Sequence, residues 1–343
     1  ANAYVQLTKG NVTTWWRKIR QAPEPPTAEQ ERFLQAVIQR CQVEARELSE
    51  WNAPRRDRKA GILSEPCRLC LLGIPGAGKS KCLQWLRDFF ETVLGWTHGV
   101  QFQFLAAQNS MAALVGGGTV HTWGVIPANK AAAAAKHANK EVDWDKLFEN
   151  CISMRWLLID ECSGLSPGLT AVLESFLREK ACVRHPYAYR AARHRDPRPF
   201  GGLNLVFAGD LWQLPPVKDI AIFSHPTERS SGGKHEAGEQ RILRMFWDCK
   251  DPRNVDGIQE LHELTASKRS KDPWLDAVLL ADRLGAETWE LYCFTHGYPT
   301  RNPGTWLPGP DAPQCGTSCC STLRERWDLR FKAKETWEKR QSM

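Results

Sequence analysis

The spacing of hydrophobic positions changes near residue 63. Before that point a helical pattern begins at Thr27, and its apolar positions recur at the spacing of one helix face. These positions are Phe33, Leu34, Val37 and Ile38. After it, short apolar runs alternate with longer helical stretches, and the runs are residues 67–73, 101–106, 155–160 and 203–208. Strands without polar alternation are typical of parallel sheets covered on both faces, so the pattern predicts an α/β fold with a mostly parallel sheet between helices.

The chain of 343 residues is long enough for two domains, at roughly 100–200 residues per domain. The pattern divides it into a helical segment at 1–62, a sheet domain at 63–270 and a remainder at 271–343. The remainder combines a Gly- and Pro-rich passage with a charged helical tail, and we interpret it as a partial second domain or a tail.

Two insertions interrupt the sheet pattern. Residues 131–135 are a poly-Ala tract, which indicates an exposed helix or a variable linker. The stretch 180–198 is basic, with Arg190 and Arg198 among its charges. It is either a track for a phosphate backbone or a solvated surface loop.

Composition narrows the class of protein without assigning a function. Hydrophobic residues at 42% and charged residues at 25% are typical of globular proteins and argue against disordered and fibrous classes. No apolar run reaches the roughly 18 residues of a membrane helix, so we expect a soluble chain with no membrane partner. The net charge of +7 is compatible with an acidic partner. Nothing in the sequence sets the oligomeric state.

The twelve cysteines, without a secretory signal, predict mostly free thiols in a reducing compartment. Cys67 and Cys70 form a CxxC, but no second pair follows at zinc spacing, and their apolar neighbours favour a buried strand over a metal site. A metal site near the C-terminus is the weaker hypothesis. Its residues would be Cys315, Cys319 and Cys320.

Residues 73–80, GIPGAGKS, fit the phosphate-binding pattern G-x-x-x-x-G-K-[ST] and lie between a predicted strand and a predicted helix. In such a loop, glycines let backbone N–H groups point at phosphate, and the helix presents its positive end. Lys79 would bind the β- and γ-phosphate oxygens, and the Ser80 hydroxyl would bind Mg²⁺. The predicted nucleotide-binding residues of this loop are Gly73, Pro75, Gly76, Ala77, Gly78, Lys79 and Ser80.

An acidic pair follows the predicted strand at 155–160. Asp160 at the end of this strand can bind the metal, and Glu161 can polarise a water molecule for attack on the γ-phosphate. Together with the phosphate-binding loop, the pair indicates nucleotide hydrolysis and makes nucleotide storage the less favoured function.

The order of three motifs resembles the Pif1-like superfamily 1 DNA helicases, which move 5′ to 3′ on single-stranded DNA. The motifs are GIPGAGKS at 73–80, IDECS at 159–163 and GGLNLVFAGDLWQLPPV at 201–217. Within the last, residues 209–216 resemble the family's motif III. The resemblance implies that Gln213 senses the γ-phosphate and couples it to DNA.

Two further matches concern the nucleotide. Residues 27–30, TAEQ, resemble the family's Q motif, which implies that Gln30 reads the adenine edge; the alternative is a surface glutamine. Residues 264–270, LTASKRS, resemble a motif whose arginine reaches the γ-phosphate, which makes Arg269 a candidate. The alternative for Arg269 is solvation at the surface.

A third match concerns DNA. Residues 118–123, GTVHTW, resemble motif Ia, which lies along the DNA strand in that family. This implies DNA contacts by Thr119, His121 and Trp123, and an aromatic ring that stacks on a base can contribute about 1–3 kcal/mol. Packing at the end of a strand or loop is the alternative for His121 and Trp123.

The resemblance implies an ATP- and Mg²⁺-dependent 5′-to-3′ DNA helicase with a RecA-like motor domain and single-stranded DNA as partner. It also implies a role in DNA repair, recombination, telomere or genome maintenance, in the nucleus or alternatively in an organelle. The family's later motifs are missing from the sequence, so we expect the first RecA-like domain and at most the start of the second.

Two other hypotheses compete with the helicase. One is a catalytically impaired module that binds ATP and DNA and derives from a helicase or a mobile element. The other is a small-molecule kinase with a phosphate-binding loop, which leaves the likeness of residues 209–216 to motif III as a coincidence.

Overall fold

The computed structural model describes residues 4, 7–52, 63–127, 142–190, 196–216, 219–227, 237–251, 253–266, 273–286 and 288–289. The chain divides into two units, residues 1–266 and 267–343. In the second unit the described part is mainly the helix Pro273–Leu284. The poly-Ala tract, Arg269, the three C-terminal cysteines and the predicted helical tail lie outside the described residues.

The first unit is built on a six-stranded sheet. Its strands are β1 Arg68–Gly73, β2 Phe102–Ala106, β3 Gly118–Thr119, β4 Trp156–Asp160, β5 Asn204–Gly209 and β6 Glu260–Leu264. Their order is β3-β2-β4-β5-β1-β6, and every pairing is parallel. The four predicted strands are confirmed to within one residue at each end. The predicted α/β fold with a mostly parallel sheet is therefore confirmed.

Helices cover both faces of this sheet. They are α1 Lys9–Arg20, α2 Ala28–Asn52, α3 Lys79–Asp88, α4 Asn109–Leu114, α5 Val120–Trp123, α6 Trp144–Cys151, α7 Pro167–Phe176 and α8 Ala237–Trp247. The helix predicted from Thr27 is α2, and its start is stabilised because the Thr27 and Gln30 side chains each accept a hydrogen bond from the other's backbone N–H. No helix in the described part of the chain combines the length and apolar character that crossing a membrane requires.

The side chains of each strand alternate between two hydrophobic cores. Leu69 and Leu71 of β1 join a core with α1, α2 and α3, whereas Cys70 joins a core with α6, α7 and α8. Within the segment predicted at 1–62, the described helices α1 and α2 are thus packed on the sheet as part of the first unit. The predicted apolar stripe after the phosphate-binding loop is buried in the first core. Its residues are Leu83, Leu86, Phe89, Phe90 and Val93.

A buried ion network lies where β4 and β5 begin, which is the amino-terminal edge of the sheet. Glu44 of α2 accepts hydrogen bonds from Arg40 at 2.8 Å, from Arg155 at 2.6 Å and from Asn204 at 2.8 Å. Burial raises the pKa of Glu44, but the attraction of Arg155 and Arg40 outweighs it and lowers the pKa to about 2. We call these four residues the amino-edge network; it joins α2 to β4 and β5.

Candidate nucleotide-binding site

The predicted nucleotide-site residues follow the carboxyl-terminal ends of the strands. The phosphate-binding loop follows β1, Asp160 ends β4, and the segment 209–216 begins at the end of β5. Parallel pairing aligns these ends, with Leu72 opposite Gly209 and Ala106 opposite Asp160. This carboxyl-terminal edge is where open α/β sheets bind their ligands.

The loop takes its shape from glycines with positive φ. Gly76 has φ +82° and Gly78 has φ +91°, a region that side-chain-bearing residues rarely adopt. A Cβ on Gly78 would lie only 2.4 Å from Nε2 of Gln30. Helix α3 then begins at Lys79, as predicted, so its free N–H groups and positive end face the loop.

Lys79 is buried, with 8% of its surface exposed. Its Nζ donates hydrogen bonds to the carbonyl oxygens of Gly73 at 2.7 Å and Ile74 at 3.3 Å, which holds the ammonium group across the loop. Ser80, one residue further along α3, is exposed. The structure therefore places the fixed ammonium group of Lys79 next to the exposed Ser80 at the start of α3.

In the acidic pair, Asp160 is buried and Glu161 has a strained backbone. Burial raises the pKa of Asp160 to about 6, and the Glu161 carboxylate acts in the same direction. Oδ1 of Asp160 accepts a hydrogen bond from the Glu161 N–H at 3.0 Å. Glu161 has φ +50°, which costs about 1 kcal/mol for a residue with a side chain, and such strain clusters at functional sites. Its Oε2 atom is buried and accepts no hydrogen bond from the described residues.

Gln30 packs against the phosphate-binding loop and is not a surface residue, since 4% of it is exposed. Its Nε2 donates to the Ala77 carbonyl at 3.2 Å, and its Oε1 accepts from the Thr27 N–H at 2.9 Å. The preceding residue, Glu29, was missed by sequence reasoning. Its carboxylate accepts hydrogen bonds from the Thr265 N–H at 3.0 Å and the Thr265 hydroxyl at 2.7 Å, which joins α2 to the residue after β6.

The segment 209–216 begins in close contact with the acidic turn. A Cβ on Gly209 would lie 2.9 Å from Sγ of Cys162, so glycine is required for this approach. Asp210 is buried, and its backbone carbonyl accepts from the Gln213 N–H at 3.1 Å. Gln213 itself is partly exposed.

The predicted DNA-contact residues are mostly used in local structure. The Thr119 hydroxyl caps α5 by accepting from the Thr122 N–H at 3.1 Å. Trp123 is 7% exposed and belongs to the second core, so the structure favours packing over base stacking for this ring. His121 is partly exposed, and burial lowers its pKa, which keeps the ring neutral at pH 7.

Two arginines of the basic stretch 180–198 fit neither alternative, whereas Arg184 is exposed, as a solvated surface loop would have it. Arg190 forms ion pairs with Glu65 at 2.9 Å and Asp256 at 2.5 Å, and Arg198, which is 1% exposed, pairs with Glu65 at 2.9 Å. These guanidinium groups are already neutralised inside the fold, so Arg190 and Arg198 are structural residues.

Cys67 and Cys70 are buried at the start of β1 and within it, as the strand interpretation predicts. Burial raises the pKa of Cys70 to about 12, so its thiol stays protonated and unreactive at neutral pH. All eight cysteines in the described part of the chain are free, in agreement with the predicted thiols.

Comparisons with known proteins place this site in a family context. Residues 64–226 match the PIF1-like helicase family, which confirms the resemblance seen in the motifs. The ATP-dependent DNA helicase RRM3 of Saccharomyces cerevisiae is 31% identical over 159 residues, which are 46% of this chain and 19% of that protein. The ATP-dependent DNA helicase PIF1 of the same yeast is 30% identical over 156 residues, 42% of this chain and 15% of that protein.

A solved structure, that of Pif1 helicase from Candida albicans, has a TM-score of 0.49 and 21% identity, and the match covers 80% of this chain and 48% of that chain. The chain spans less than a fifth of the length of the two yeast relatives.

Proposed function

We propose that this chain, whose residues 64–226 match the PIF1-like helicase family, carries the ATP-hydrolysing part of a 5′-to-3′ DNA helicase. The observation that carries the proposal is the arrangement at the carboxyl-terminal edge. There a buried lysine in a glycine loop, an acidic pair with a buried aspartate and the segment 209–216 follow neighbouring strands of one parallel sheet. This combination suits hydrolysis of a nucleoside triphosphate coupled to movement of a second ligand.

ATP is the proposed nucleotide. The N–H groups of the loop at 73–80 and the start of α3 would bind its phosphates, Lys79 would neutralise the β- and γ-phosphate oxygens, and Gln30 would read the adenine edge. The Gln30 amide already touches the loop through Ala77, so its proposed contact with the base lies beside the phosphate site.

Mg²⁺ fits the oxygen donors of Ser80 and Asp160. Magnesium binds proteins through one or two carboxylates and completes its shell with phosphates and water. The described residues contain no cluster of three or more His, Cys, Asp or Glu that could hold a metal by itself, which suits an ion that arrives with its nucleotide. When bound, the ion would supply positive charge to the β- and γ-phosphates.

Glu161 is the proposed base. Its buried, unpartnered Oε2 is suited to orient and deprotonate a water molecule because no donor in the described structure competes for it. Gln213 would sense the γ-phosphate, and Arg269, which lies outside the described residues, would contact the same phosphate. These two roles come from the family resemblance.

Single-stranded DNA is the proposed second ligand. The yeast relatives are named ATP-dependent DNA helicases, which supports a DNA substrate for this chain. DNA repair, recombination or telomere maintenance as the cellular role, and the nucleus as the compartment, are proposed on the same relationship. Among the predicted contact residues, we propose His121 as a side-chain contact and the backbone around Thr119 as the surface that follows the strand.

The test is ATP hydrolysis by the chain with and without single-stranded DNA, with Lys79→Ala as the blank. Glu161→Gln should still bind Mg-ATP but lose turnover by about 100- to 10,000-fold, the usual effect of a general base. Glu149→Gln, an exposed carboxylate on α6, is the matched control and should keep wild-type turnover. Unchanged turnover in Glu161→Gln would refute the role of this residue.

If the wild-type chain binds ATP and single-stranded DNA without any turnover, the catalytically impaired binding module is the better description. The protein should be shown to be folded in that measurement, by a cooperative unfolding transition.

A further inference from the structure

One arginine connects the phosphate-binding helix to the chain that leads into the predicted DNA-contact segment. Arg87 lies in the last turn of α3. Its Nη2 donates hydrogen bonds to the carbonyl oxygens of Val115 at 2.8 Å and Gly116 at 3.0 Å. These carbonyls immediately precede β3, whose last residue, Thr119, caps α5. A single side chain thus joins α3 to the start of residues 118–123.

The residues around this contact are shaped to admit the guanidinium group. Gly116 has φ +58°, and a Cβ there would lie 2.9 Å from Nη1 of Arg87. A Cβ on Gly117 would lie 2.2 Å from the carbonyl oxygen of Phe104 in β2, so this residue too must be glycine. The guanidinium also lies 4.8 Å from the centre of the Phe104 ring, a cation–π distance.

The guanidinium is therefore held on two sides. One nitrogen, Nη2, donates to both backbone carbonyls, and the guanidinium carbon lies over the Phe104 ring. A guanidinium can donate from one nitrogen while its delocalised charge lies over an aromatic ring, whereas a lysine ammonium is a compact, strongly hydrated point charge. Phe104 belongs to β2, the strand that pairs with β3. The contact therefore helps to fix where residues 115–118 lie beside the sheet.

Helix α3 carries the phosphate-binding residues at its other end. Lys79 and Ser80 start the helix and Arg87 lies about 11 Å further along it, at 1.5 Å per residue. One uninterrupted α-helix joins Lys79 to Arg87, so a shift of its first turn on phosphate binding would carry Arg87 with it. The carbonyls of Val115 and Gly116 would then move as well.

We infer that Arg87 is a positioning residue that couples nucleotide binding in the loop to the placement of residues 118–123. The inference rests on the proposed function, because it assumes that these residues lie along DNA. Arg87 touches neither nucleotide nor reacting atoms in this arrangement; it acts through the backbone of Val115 and Gly116.

The variants separate geometry from charge. Arg87→Met keeps most of the side-chain length but removes every donor, and Arg87→Lys keeps the charge but loses the planar fork. Gly116→Ala leaves Arg87 intact and pushes its guanidinium away from the other side. Arg46→Met, at an exposed arginine on α2, removes the same charge and is the matched control.

Two measurements on the full chain are needed. Amide hydrogen exchange should become about tenfold faster in residues 116–124 of Arg87→Met and Gly116→Ala, while residues 80–86 exchange as in the wild type. Fluorescence anisotropy with labelled oligo-dT, with and without a non-hydrolysable ATP analogue and Mg²⁺, gives the nucleotide-dependent change in DNA affinity. That change should shrink by about fivefold in both variants and stay unaltered in Arg46→Met.

Unchanged exchange in residues 116–124 would overturn the inference, because the contact would then position nothing. Faster exchange with an unaltered nucleotide effect on DNA affinity would also overturn it, since Arg87 would be merely structural. A wild-type chain that binds no oligo-dT in either nucleotide state refutes the proposed function and the inference with it, and this failure is visible before any variant is made.

Discussion

Buried carboxylates lie at both the amino-terminal and the carboxyl-terminal edge of the sheet, but their surroundings differ. At the amino-terminal edge, Glu44 is 0% exposed and is surrounded by donors, with Arg155 at 2.6 Å and Arg40 at 2.8 Å. At the carboxyl-terminal edge, Glu161 keeps a buried oxygen without a donor in the described residues and a strained backbone. The charges at the first edge are paired with one another, whereas the second edge is where we propose that the nucleotide binds.

The pKa values show the same contrast. Glu44 has its pKa lowered to about 2 because its arginine partners outweigh burial, whereas burial and the neighbouring Glu161 raise the pKa of Asp160 to about 6. Helix α2 links the two edges: Gln30 near its start touches the phosphate-binding loop, and Glu44 further along enters the amino-edge network. A helix fixed at one edge can thus hold Gln30, a proposed nucleotide contact, in place at the other.

The largest expected effect comes from Glu44→Gln. The amide has nearly the same shape, but it leaves Arg40 and Arg155 without their buried anion, and breaking a buried pair costs about 3–5 kcal/mol. Urea unfolding at pH 7 measures the loss. The stabilisation from Glu44 is present above its unfolded pKa of 4.5 and should disappear as the pH falls toward 2.

Glu50→Gln makes the same change at an exposed position of the same helix and serves as its control. It should alter the free energy of unfolding by less than about 0.5 kcal/mol. Equal losses in Glu44→Gln and Glu50→Gln would mean that the amino-edge network does not stabilise the fold.

Asp160→Asn should increase the free energy of unfolding, the opposite of the effect of Glu44→Gln. The folded pKa of about 6 lies above the ordinary value of 3.8, so the native state binds the proton more tightly and wild-type stability should fall as the pH rises from about 4 to 6. Without nucleotide or Mg²⁺, the asparagine variant should be about 2 kcal/mol more stable than the wild type at pH 7.5. At pH 4 the two should be nearly equal.

The measurement is the difference in unfolding free energy between variant and wild type across this pH range. Asp145→Asn, on an exposed face of α6, is the control and should show no such trend. A difference that stays constant from pH 4 to pH 7.5 would contradict the raised pKa and the picture of a destabilised carboxyl-terminal edge.

The fold was predictable where buried segments have a distinctive hydrophobic pattern in the sequence. Strands β1, β2, β4 and β5 are covered on both faces, so each reads as an apolar run. Strand β6 was missed because it lies at an edge of the sheet, and its residues, ELHEL, are mostly exposed. Strand β3 has only two residues, which is too short for any periodicity.

Residues of the candidate site could be proposed from the sequence where the chemistry is local. Lys79 lies within one contiguous motif, and Asp160 ends an apolar strand, so both could be found from neighbours in sequence. Arg190 could not be interpreted in this way, because its partner Glu65 is 125 residues away. The burial of Trp123 likewise depends on helices that follow later in the chain. The surroundings of such residues depend on long-range packing, which a short sequence pattern does not predict.

The smallest expected effect comes from Glu29→Gln, which repeats the Glu44 substitution at the other end of the same helix. Glu29 has its pKa lowered by the two hydrogen bonds from Thr265, but its carboxylate is partly exposed and glutamine keeps one acceptor oxygen. The expected loss in urea unfolding at pH 7 is therefore about 0.5 kcal/mol, typical of a solvent-screened contact. Thr265→Val, which removes only the hydroxyl donor, should cost no more. A Glu29→Gln loss as large as that of Glu44→Gln would show that both edges are held together by their charges, and the contrast between them would fail.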